Sequence, residues 1–282
     1  MKTALVLEGG AKRGIYTAGV LDVMLENNLL SDAVFGVSAG AIHGCSYVAG
    51  QIGRSIRYNM AYGNDPRFMS LTNWLKTGNV VDTEFCYHEL PDILDPFDHE
   101  TFEKAKSKFY AVCSNIETGH PEYILCSSLR GKNIDYIRAS ASLPFFSQTV
   151  EIDGKKLLDG GICDSIPLQA SQKLGYGRNI VILTRPAGYR KKPAHSKWLA
   201  KLVYRRYPQF ADAIINRHKM YNAELDYIAG QEEKSDTLVI RPSKIIKIGK
   251  MEKNLDIVKQ MYELGCHDAL AALDRIKDFL KR

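Results

Sequence analysis

The stretch Gly36 to Gly40, with the sequence GVSAG, contains the side chain best suited to attack an ester. It follows an apolar run and precedes a segment of small residues. A G-x-S-x-G pattern between a strand and a helix forms a nucleophile elbow, whose sharp turn projects the serine hydroxyl above the sheet. Ser38 is therefore the candidate nucleophile, and a plain glycine turn is the alternative interpretation.

A second stretch, GGAKRG, is suited to stabilising the oxyanion that forms after such an attack. Backbone N–H groups of a glycine-rich loop are effective oxyanion donors, and parallel strands would bring this loop beside the elbow because both follow strand carboxyl ends. As a phosphate loop the stretch lacks the middle glycine of a dinucleotide fingerprint and the ending of a Walker motif. The candidate donors are Gly9, Gly10, Ala11, Lys12, Arg13 and Gly14 of the loop, with Ala39 after the serine.

No histidine lies at a position in the sequence where the base for the serine proton would be expected. His43 lies on the same predicted helix as Ser38 and is expected to face away from it. The other histidines fall in an irregular insertion, a turn, a basic tract and two helices, where they are typical of surface or packing positions: His88, His99, His120, His195, His218 and His267.

An aspartate occupies a more suitable position than any of these histidines. Asp159 in LLDGG is followed directly by Gly160 and Gly161, which leave its side chain free to point into a site. An ordinary Asp-Gly turn is the alternative interpretation.

Apolar runs and glycines predict the elements that position these residues. Thr3–Leu7 and Ala33–Val37 are expected to be buried strands, and helices are expected over 15–27 and 39–51. Strand, tight turn and helix, repeated twice, indicate a parallel sheet with crossover helices.

The remaining chain mixes hairpins, helices and one irregular insertion. Residues 54–103 are predicted to form an insertion with short helices, of the kind that often walls a substrate site. Hairpins are expected over 108–128 and around Asp153-Gly154. A strand in RNIVILTRP, a helical stretch to about 231, a strand in TLVIRP and one amphipathic helix over 253–281 complete the prediction.

Composition indicates an ordinary globular protein. Of the 282 residues, 45% are hydrophobic and 25% charged, enough chain for one large domain or two small ones. The first residues do not resemble a signal peptide, and no uncharged apolar stretch approaches the roughly 18 residues needed to span a bilayer. A cytoplasmic protein with at most peripheral membrane contact is expected. The six scattered cysteines are predicted to be packing residues or spare thiols.

Positive charge is concentrated in one part of the chain. Between Ser165 and Ala211 there are ten Lys or Arg and no Asp or Glu. Cations mixed with aromatic side chains suit an anionic lipid surface, a solvated basic helix fits equally well, and no nucleic-acid motif accompanies the charge. The residues of the expected membrane contact are Arg190, Lys191, Lys192, Lys197, Trp198, Lys201, Arg205 and Arg206.

Four motifs, in order, give the chain a family resemblance. LVLEGGAKRGIYTAGVLD, FGVSAG, SASLPFF and LLDGGICDSIP resemble the patatin-like phospholipases, in particular their bacterial members, over roughly residues 3–186. The resemblance implies an α/β fold, a three-layer sandwich with a central, mostly parallel sheet. It also implies a catalytic domain over 1–186, and we expect 187–282 to be a mainly helical C-terminal extension packed on the core.

The resemblance further implies a Ser-Asp dyad, with Ser38 as nucleophile, Asp159 as base and no metal or organic cofactor. Ala11 departs from the family, which commonly has a third glycine there, and a positive φ at this position would cost energy. The expected activity is lipid acyl hydrolysis through an acyl-serine. A transacylase using the same serine, or a non-catalytic lipid- or nucleotide-binding protein, is the alternative.

Overall fold

A single eight-stranded sheet forms the centre of the protein in the computed structural model, which describes residues 1–194 and 197–281. The strand order is β5-β6-β3-β2-β1-β7-β8, and β4 also pairs with β3. The strands are β1 Thr3–Leu7, β2 Ala33–Val37, β3 Lys108–Asn115, β4 His120–Cys126, β5 Val150–Ile152, β6 Lys155–Asp159, β7 Arg178–Ile182 and β8 Thr237–Ile240.

The sheet is parallel from β3 through β2, β1 and β7 to β8, and antiparallel where the two hairpins join it. The second hairpin turns at Asp153 and Gly154, which both have positive φ (48° and 74°), as a two-residue hairpin turn requires. The predicted strands and both hairpins are confirmed.

Eleven α-helices and one π-helical segment, Phe85–Leu94, are found in the described residues. The α-helices are α1 Ile15–Glu26, α2 Ala39–Val48, α3 Arg54–Tyr62, α4 Leu71–Thr77, α5 His99–Lys104, α6 Ile134–Ala141, α7 Leu168–Lys173, α8 Lys197–Val203, α9 Pro208–Glu233, α10 Leu255–Ala271 and α11 Leu273–Lys281. The predicted irregular insertion is confirmed, because α3, α4, the π-helical segment and α5 fill residues 54–104.

Helices cover both faces of the sheet. Side chains alternate between the two faces of a strand, so Leu5 and Leu7 of β1 pack with α1, α2 and α10, whereas Val6 packs with α7 and α9. The predicted three-layer α/β sandwich with a mostly parallel sheet is confirmed.

The final helix differs from its prediction. One amphipathic helix was expected over 253–281, but the chain breaks at Ala272 into α10 and α11. After the break, Ile276 and Phe279 of α11 pack into the core.

The C-terminal part of the chain packs on the core through α9 and is joined to it at two further places. Strand β8 extends the sheet beside β7, and α10 crosses α1 at Gly19 and Gly265. A Cβ at Gly19 would lie 2.3 Å from the Tyr262 carbonyl oxygen, and one at Gly265 would lie 2.1 Å from that of Tyr16. The two backbones therefore touch, while the boundary between 186 and 187 stays a prediction.

Replacing Gly265 with alanine is expected to lower the free energy of unfolding by about 3 kcal/mol, because the new methyl group forces α10 away from α1. Gly230 in α9 is the matched control, since a Cβ there meets no atom within 4 Å. Gly230→Ala is expected to stabilise the protein by about 0.5–1 kcal/mol through helix propensity. Urea unfolding followed by circular dichroism measures both, and equal effects of the two changes would contradict the close crossing.

None of the helices in the described part of the chain combines the length and the apolar character needed to cross a membrane. All six cysteines are free, and Cys45, Cys113 and Cys126 are buried. Their use as packing residues is confirmed at these three positions.

Candidate active site

Ser38 lies in a strained turn between β2 and α2, with φ 55° and ψ −120°. The turn needs its two glycines, because a Cβ at Gly36 would lie 2.5 Å from Ala41 Cα and one at Gly40 would lie 2.5 Å from the Leu7 carbonyl oxygen. A non-glycine residue at positive φ is costly and tends to occur at functional sites. The predicted sharp strand-to-helix turn is confirmed.

Ser140, which the sequence analysis did not single out, holds this turn in place. Its hydroxyl accepts a hydrogen bond from the Ser38 N–H (2.9 Å) and donates one to the Val112 carbonyl oxygen (2.6 Å). Ser140 begins SASLPFF, one of the motifs that carry the family resemblance, and this is the sequence feature that could have identified it. Because the Ser38 N–H is already bonded, it is not a free oxyanion donor.

The loop 9–14 lies directly beside the elbow. A Cβ at Gly9 would lie 2.9 Å from Ser38 Cβ, and one at Gly14 would lie 2.4 Å from Ala39 Cβ. The N–H groups of Gly9, Gly10 and Ala39 have no acceptor within the described residues. These free donors border Ser38, as the sequence predicts.

Ala11, where the family commonly has a glycine, adopts a positive φ of 47°. Most side chains avoid this conformation, and its cost is of the order of 1 kcal/mol. The turn persists with alanine, so neighbouring contacts hold the loop.

Glu8 provides such contacts and was also missed from the sequence. It is only 3% exposed. Its Oε2 accepts hydrogen bonds from the Thr184 N–H (2.5 Å) and hydroxyl (3.1 Å), and its Oε1 accepts one from the Tyr221 hydroxyl (2.7 Å). The carboxylate thereby ties the start of the loop to the segment after β7 and to α9.

Lys12 and Arg13, the two basic residues of the loop, lie in different environments. Lys12 is buried, donates to Asn59 Oδ1 (2.9 Å) and lies 4.5 Å from the centre of the Phe68 ring. Burial lowers its pKa to about 8. Arg13 is half-buried, and its Nε has no partner within the described residues.

Asp159 ends β6 and is 2% exposed. Its Oδ1 accepts the Gly161 N–H (2.9 Å), whereas Oδ2 has no well-formed hydrogen bond to any described residue. A Cβ at Gly160 would lie 2.1 Å from the Val112 carbonyl oxygen, and one at Gly161 would lie 3.5 Å from a methyl group of Val37. The aspartate turn is thus pressed against β3 and lies within van der Waals contact distance of Val37, the last residue of β2.

Burial, nearby cations and hydrogen-bond donors together set the acidity of Asp159. Burial is the largest influence and raises its pKa, whereas the Arg217 guanidinium and the Ser38 hydroxyl lower it. The hydroxyl is therefore near the carboxylate, although the two are not in good hydrogen-bonding geometry. Catalytic hydrogen bonds are often loose without substrate, and the free Oδ2 is an acceptor available to Ser38.

A cavity of about 390 Å³ opens at Ser38. Mostly apolar side chains from the insertion and from α2 and α6 line it, among them Ile42, Leu90, Phe97, Ile137 and Leu143. Apolar pockets of this size bind small apolar ligands or chains. The insertion therefore forms a wall of the candidate site, as expected from the sequence.

No histidine in the described residues is hydrogen-bonded to Ser38 or Asp159. His43 lines the same cavity as Ser38, although it was expected to face away, and its Nδ1 lies 2.9 Å from the Ser55 hydroxyl oxygen. Burial lowers its pKa to about 3, so the ring is neutral at ordinary pH. His195 lies outside the described residues.

The residues of the expected membrane contact are mostly on the surface. On α8, Trp198 is 68% exposed, and its neighbours Leu202 and Val203 are also exposed. Lys191 differs from the others, because it is half-buried and its Nζ lies 5.2 Å from the centre of the Tyr221 ring.

The sandwich, the strained serine turn and the adjoining apolar cavity define an α/β protein of the hydrolase type. A family model, patatin-like phospholipase, matches residues 5–170, more than half of the chain. The chain belongs to the patatin-like phospholipase family, which supports a lipid ester hydrolase in general terms. A second model, a domain of unknown function called DUF6363, matches residues 207–281.

Individual relatives agree with this family. An uncharacterized protein of Escherichia coli K12, YjjU, is 27% identical over 271 residues, which cover 94% of this chain and 75% of that protein. A lysophospholipase of Aspergillus terreus, nte1, is 29% identical over 176 residues, or 61% of this chain and 11% of the relative. VipD from Legionella pneumophila shares the fold, with a TM-score of 0.50 and 11% identity over 97% of this chain and 67% of its own.

Proposed function

We propose that the protein hydrolyses carboxylic ester bonds of lipids through an acyl-serine intermediate, with Ser38 as nucleophile and Asp159 as general base. The observation that carries the proposal is the free, buried Oδ2 of Asp159 near a strained serine at the mouth of an apolar cavity. Family membership and the name of the lysophospholipase relative support the same reaction class.

In the first half of the reaction the Ser38 oxygen attacks the ester carbonyl carbon as its proton passes to Asp159. The N–H groups of Gly9, Gly10 and Ala39 are free to bind the resulting oxyanion, an interaction worth about 3 kcal/mol for one donor. The tetrahedral intermediate collapses when Asp159 returns the proton to the leaving alcohol. Water then attacks the acyl-serine with Asp159 again as base.

Burial makes an aspartate a usable base. A free carboxylate, with a pKa near 4, is too weak to deprotonate an alcohol efficiently, and burial raises the pKa of Asp159. The Gly161 N–H fixes one oxygen and leaves the other for the serine. The cavity would hold the acyl chain next to the reacting carbon.

On the acid side of its pH profile, kcat/KM is expected to follow the ionisation of Asp159. The carboxylate must be deprotonated to act, so kcat/KM rises with pH through its pKa. Because Arg217 lowers that pKa, Arg217→Gln is expected to move this acid limb of the profile to higher pH. The profile is measured with p-nitrophenyl butyrate, and Lys219→Gln, an exposed neighbour on α9, serves as control. A limb that does not move, or that moves equally in both variants, would assign it to another group.

Labelling and product analysis test the proposal as a whole. A fluorophosphonate probe is expected to modify the protein at Ser38, located by peptide mass spectrometry, and phospholipid or monoacyl esters are expected to release free fatty acid. Transfer of the acyl group to an added alcohol in preference to water would instead identify a transacylase. Absence of labelling and turnover would favour a non-catalytic binding protein.

Contact with an anionic membrane surface is part of the proposal, through the exposed apolar and basic residues of α8. Leu202→Ser is expected to weaken sedimentation with anionic vesicles about fivefold or more, because burial of a leucine side chain contributes about 1.5–3 kcal/mol. Leu270→Ser is the control, since Leu270 is similarly exposed (56% against 58%) but lies on α10. An equal loss of vesicle sedimentation in both variants would mean that the membrane contact is not made by α8.

A further inference from the structure

Five cations from four segments interact electrostatically around Arg217, beside Asp159. We call them the cationic cluster: Arg13 of the glycine loop, Arg185 and Lys191 after β7, Arg217 of α9 and Lys250 before α10. None of them lines the apolar cavity. The catalytic pair proposed above therefore has an apolar region on one side and a basic region on another.

Two members of the cluster, Arg185 and Lys191, lie against aromatic rings. Arg185 lies 4.4 Å from the centre of the Tyr189 ring, and Lys191 lies 5.2 Å from that of Tyr221. These two rings are in edge-to-face contact, with centroids 6.0 Å apart. Arg217 is one helical turn before Tyr221, on the same side of α9.

Arg217 also borders Asp159 directly. Its Nη2 lies 2.8 Å from the position that a Cβ of Gly161 would take, and Asp159 Oδ1 lies 3.1 Å from the same position. The glycine thus makes room for the guanidinium beside the aspartate. A group bound by Arg217 would lie within a few ångströms of the reacting atoms.

The side chains of the cluster have no hydrogen-bond acceptor or ion-pair partner within residues 1–194 and 197–281. The Nε atoms of Arg13 and Arg217 are buried as well as unpaired. Glu8 is the acid that acts on both Arg13 and Lys191, but its two oxygens already accept hydrogen bonds from Thr184 and Tyr221. Buried donors without partners are rare in folded proteins, and a bound ion or ligand is one of the recognised explanations for them.

The cluster also carries an electrostatic cost. Desolvation, and then the neighbouring Arg217, lower the pKa of Lys191 to about 8. Desolvation, Arg217 and Arg13 lower the pKa of Lys250 as well, although much of its side chain is exposed. Like charges held together in this way repel one another, and a bound anion removes that cost.

We propose that the cationic cluster binds a phosphate monoester carried by the substrate, so that the preferred substrate is an acyl ester with an anionic phosphate head group. The inference rests on the proposed hydrolase function and names its substrate class. The guanidinium groups of Arg13, Arg185 and Arg217 match phosphate oxygens in geometry as well as charge. A dianionic phosphate balances five cations beside Glu8 and Asp159 better than a carboxylate or a neutral head group does.

Two lipids with the same acyl chain test the proposal: 1-acylglycerol 3-phosphate and neutral 1-acylglycerol, both in micelles of a neutral detergent. The parent protein is expected to prefer the phosphate ester about tenfold or more in kcat/KM, the effect of one charged hydrogen bond. Lys191→Gln, Arg217→Gln and Lys250→Gln are each expected to lower this ratio about fivefold or more. Because both kcat/KM values are measured on the same preparation, a loss of folded enzyme cancels in their ratio.

Matched controls come from neighbouring lysines that are exposed and lie outside the cluster. Lys219→Gln and Lys247→Gln remove the same charge two residues from Arg217 and three residues from Lys250 and are expected to keep the parent ratio. Equal losses in test and control variants would mean that overall charge, and not the cluster, attracts the lipid. That result would overturn the proposal.

Binding without turnover separates this proposal from the hydrolase function. Ser38→Ala protein is titrated with the two lipids by calorimetry, and tighter binding of the phosphate ester is expected to depend on the same three residues. The parent protein could hydrolyse the neutral ester while neither kcat/KM nor binding affinity favours the phosphate ester. In that case only the cluster proposal fails. If no ester is hydrolysed while phosphate-dependent binding remains, only the hydrolase function fails.

Inorganic phosphate distinguishes a head group from a free ion. If the cluster binds the head group, phosphate is expected to raise KM for 1-acylglycerol 3-phosphate and to leave that for 1-acylglycerol unchanged. A change in the hydrolysis of the neutral lipid, with no head-group preference, would make free phosphate the ligand and overturn the assignment to substrate.

Discussion

Ser38→Ala protein is expected to hydrolyse p-nitrophenyl butyrate with a kcat about 10⁴-fold or more below that of the parent, because loss of a nucleophile abolishes the covalent route. Alanine accepts the positive φ of Ser38 no worse than serine does, so the fold should persist. Stopped assays at high enzyme concentration measure the residual rate, and fluorophosphonate labelling should disappear with it.

An exposed serine provides the control for this change. Ser127 follows β4 and is exposed, and Ser127→Ala should retain both activity and labelling. If Ser38→Ala remains folded, with unchanged circular dichroism, and still turns over at the parent rate, the serine mechanism is wrong.

Asp159→Asn is expected to lower kcat by about 10³- to 10⁴-fold, since an amide cannot accept the serine proton. Its Oδ1 can still accept the Gly161 N–H, and a neutral amide avoids the cost of burying a carboxylate. The melting temperature should therefore be unchanged or slightly higher while activity falls. Thermal unfolding and steady-state kinetics on the same preparation separate these two effects.

Histidine variants decide between a dyad and a triad. His267 is largely exposed on α10, and His267→Ala is expected to retain activity. His195→Ala tests the one histidine outside the described residues and is expected to do the same. Activity that survives Asp159→Asn but is lost with either histidine would identify the histidine as the base.

The sequence predicts the parts of the site that depend on local chain geometry. Gly36 and Gly40 around Ser38, and Gly160 and Gly161 after Asp159, indicate tight turns because only a hydrogen fits where the chain folds back on itself. Apolar runs predict the buried strands for the same local reason. The order of strands in the sheet brings the two turns together, and local patterns do not specify that order.

Residues that act across the fold could not be predicted in this way. Ser140 lies 102 residues from the N–H that it fixes, and Glu8 lies 213 residues from Tyr221. Nothing in the sequence near Arg217 distinguishes it from the other cations of its helix. Such pairings depend on how separate segments pack, and pattern and propensity carry little information about that.

The crossing of α1 and α10 makes the residues allowed in one part of the chain depend on the other part. Gly19 lies in the segment matched by the phospholipase model and Gly265 in the segment matched by the domain of unknown function. A side chain at either position is compatible with the fold only if the other helix is displaced or lost. In evolution the two segments would therefore be inherited together, and a relative that exchanged its C-terminal part would be free to accept a larger residue at position 19.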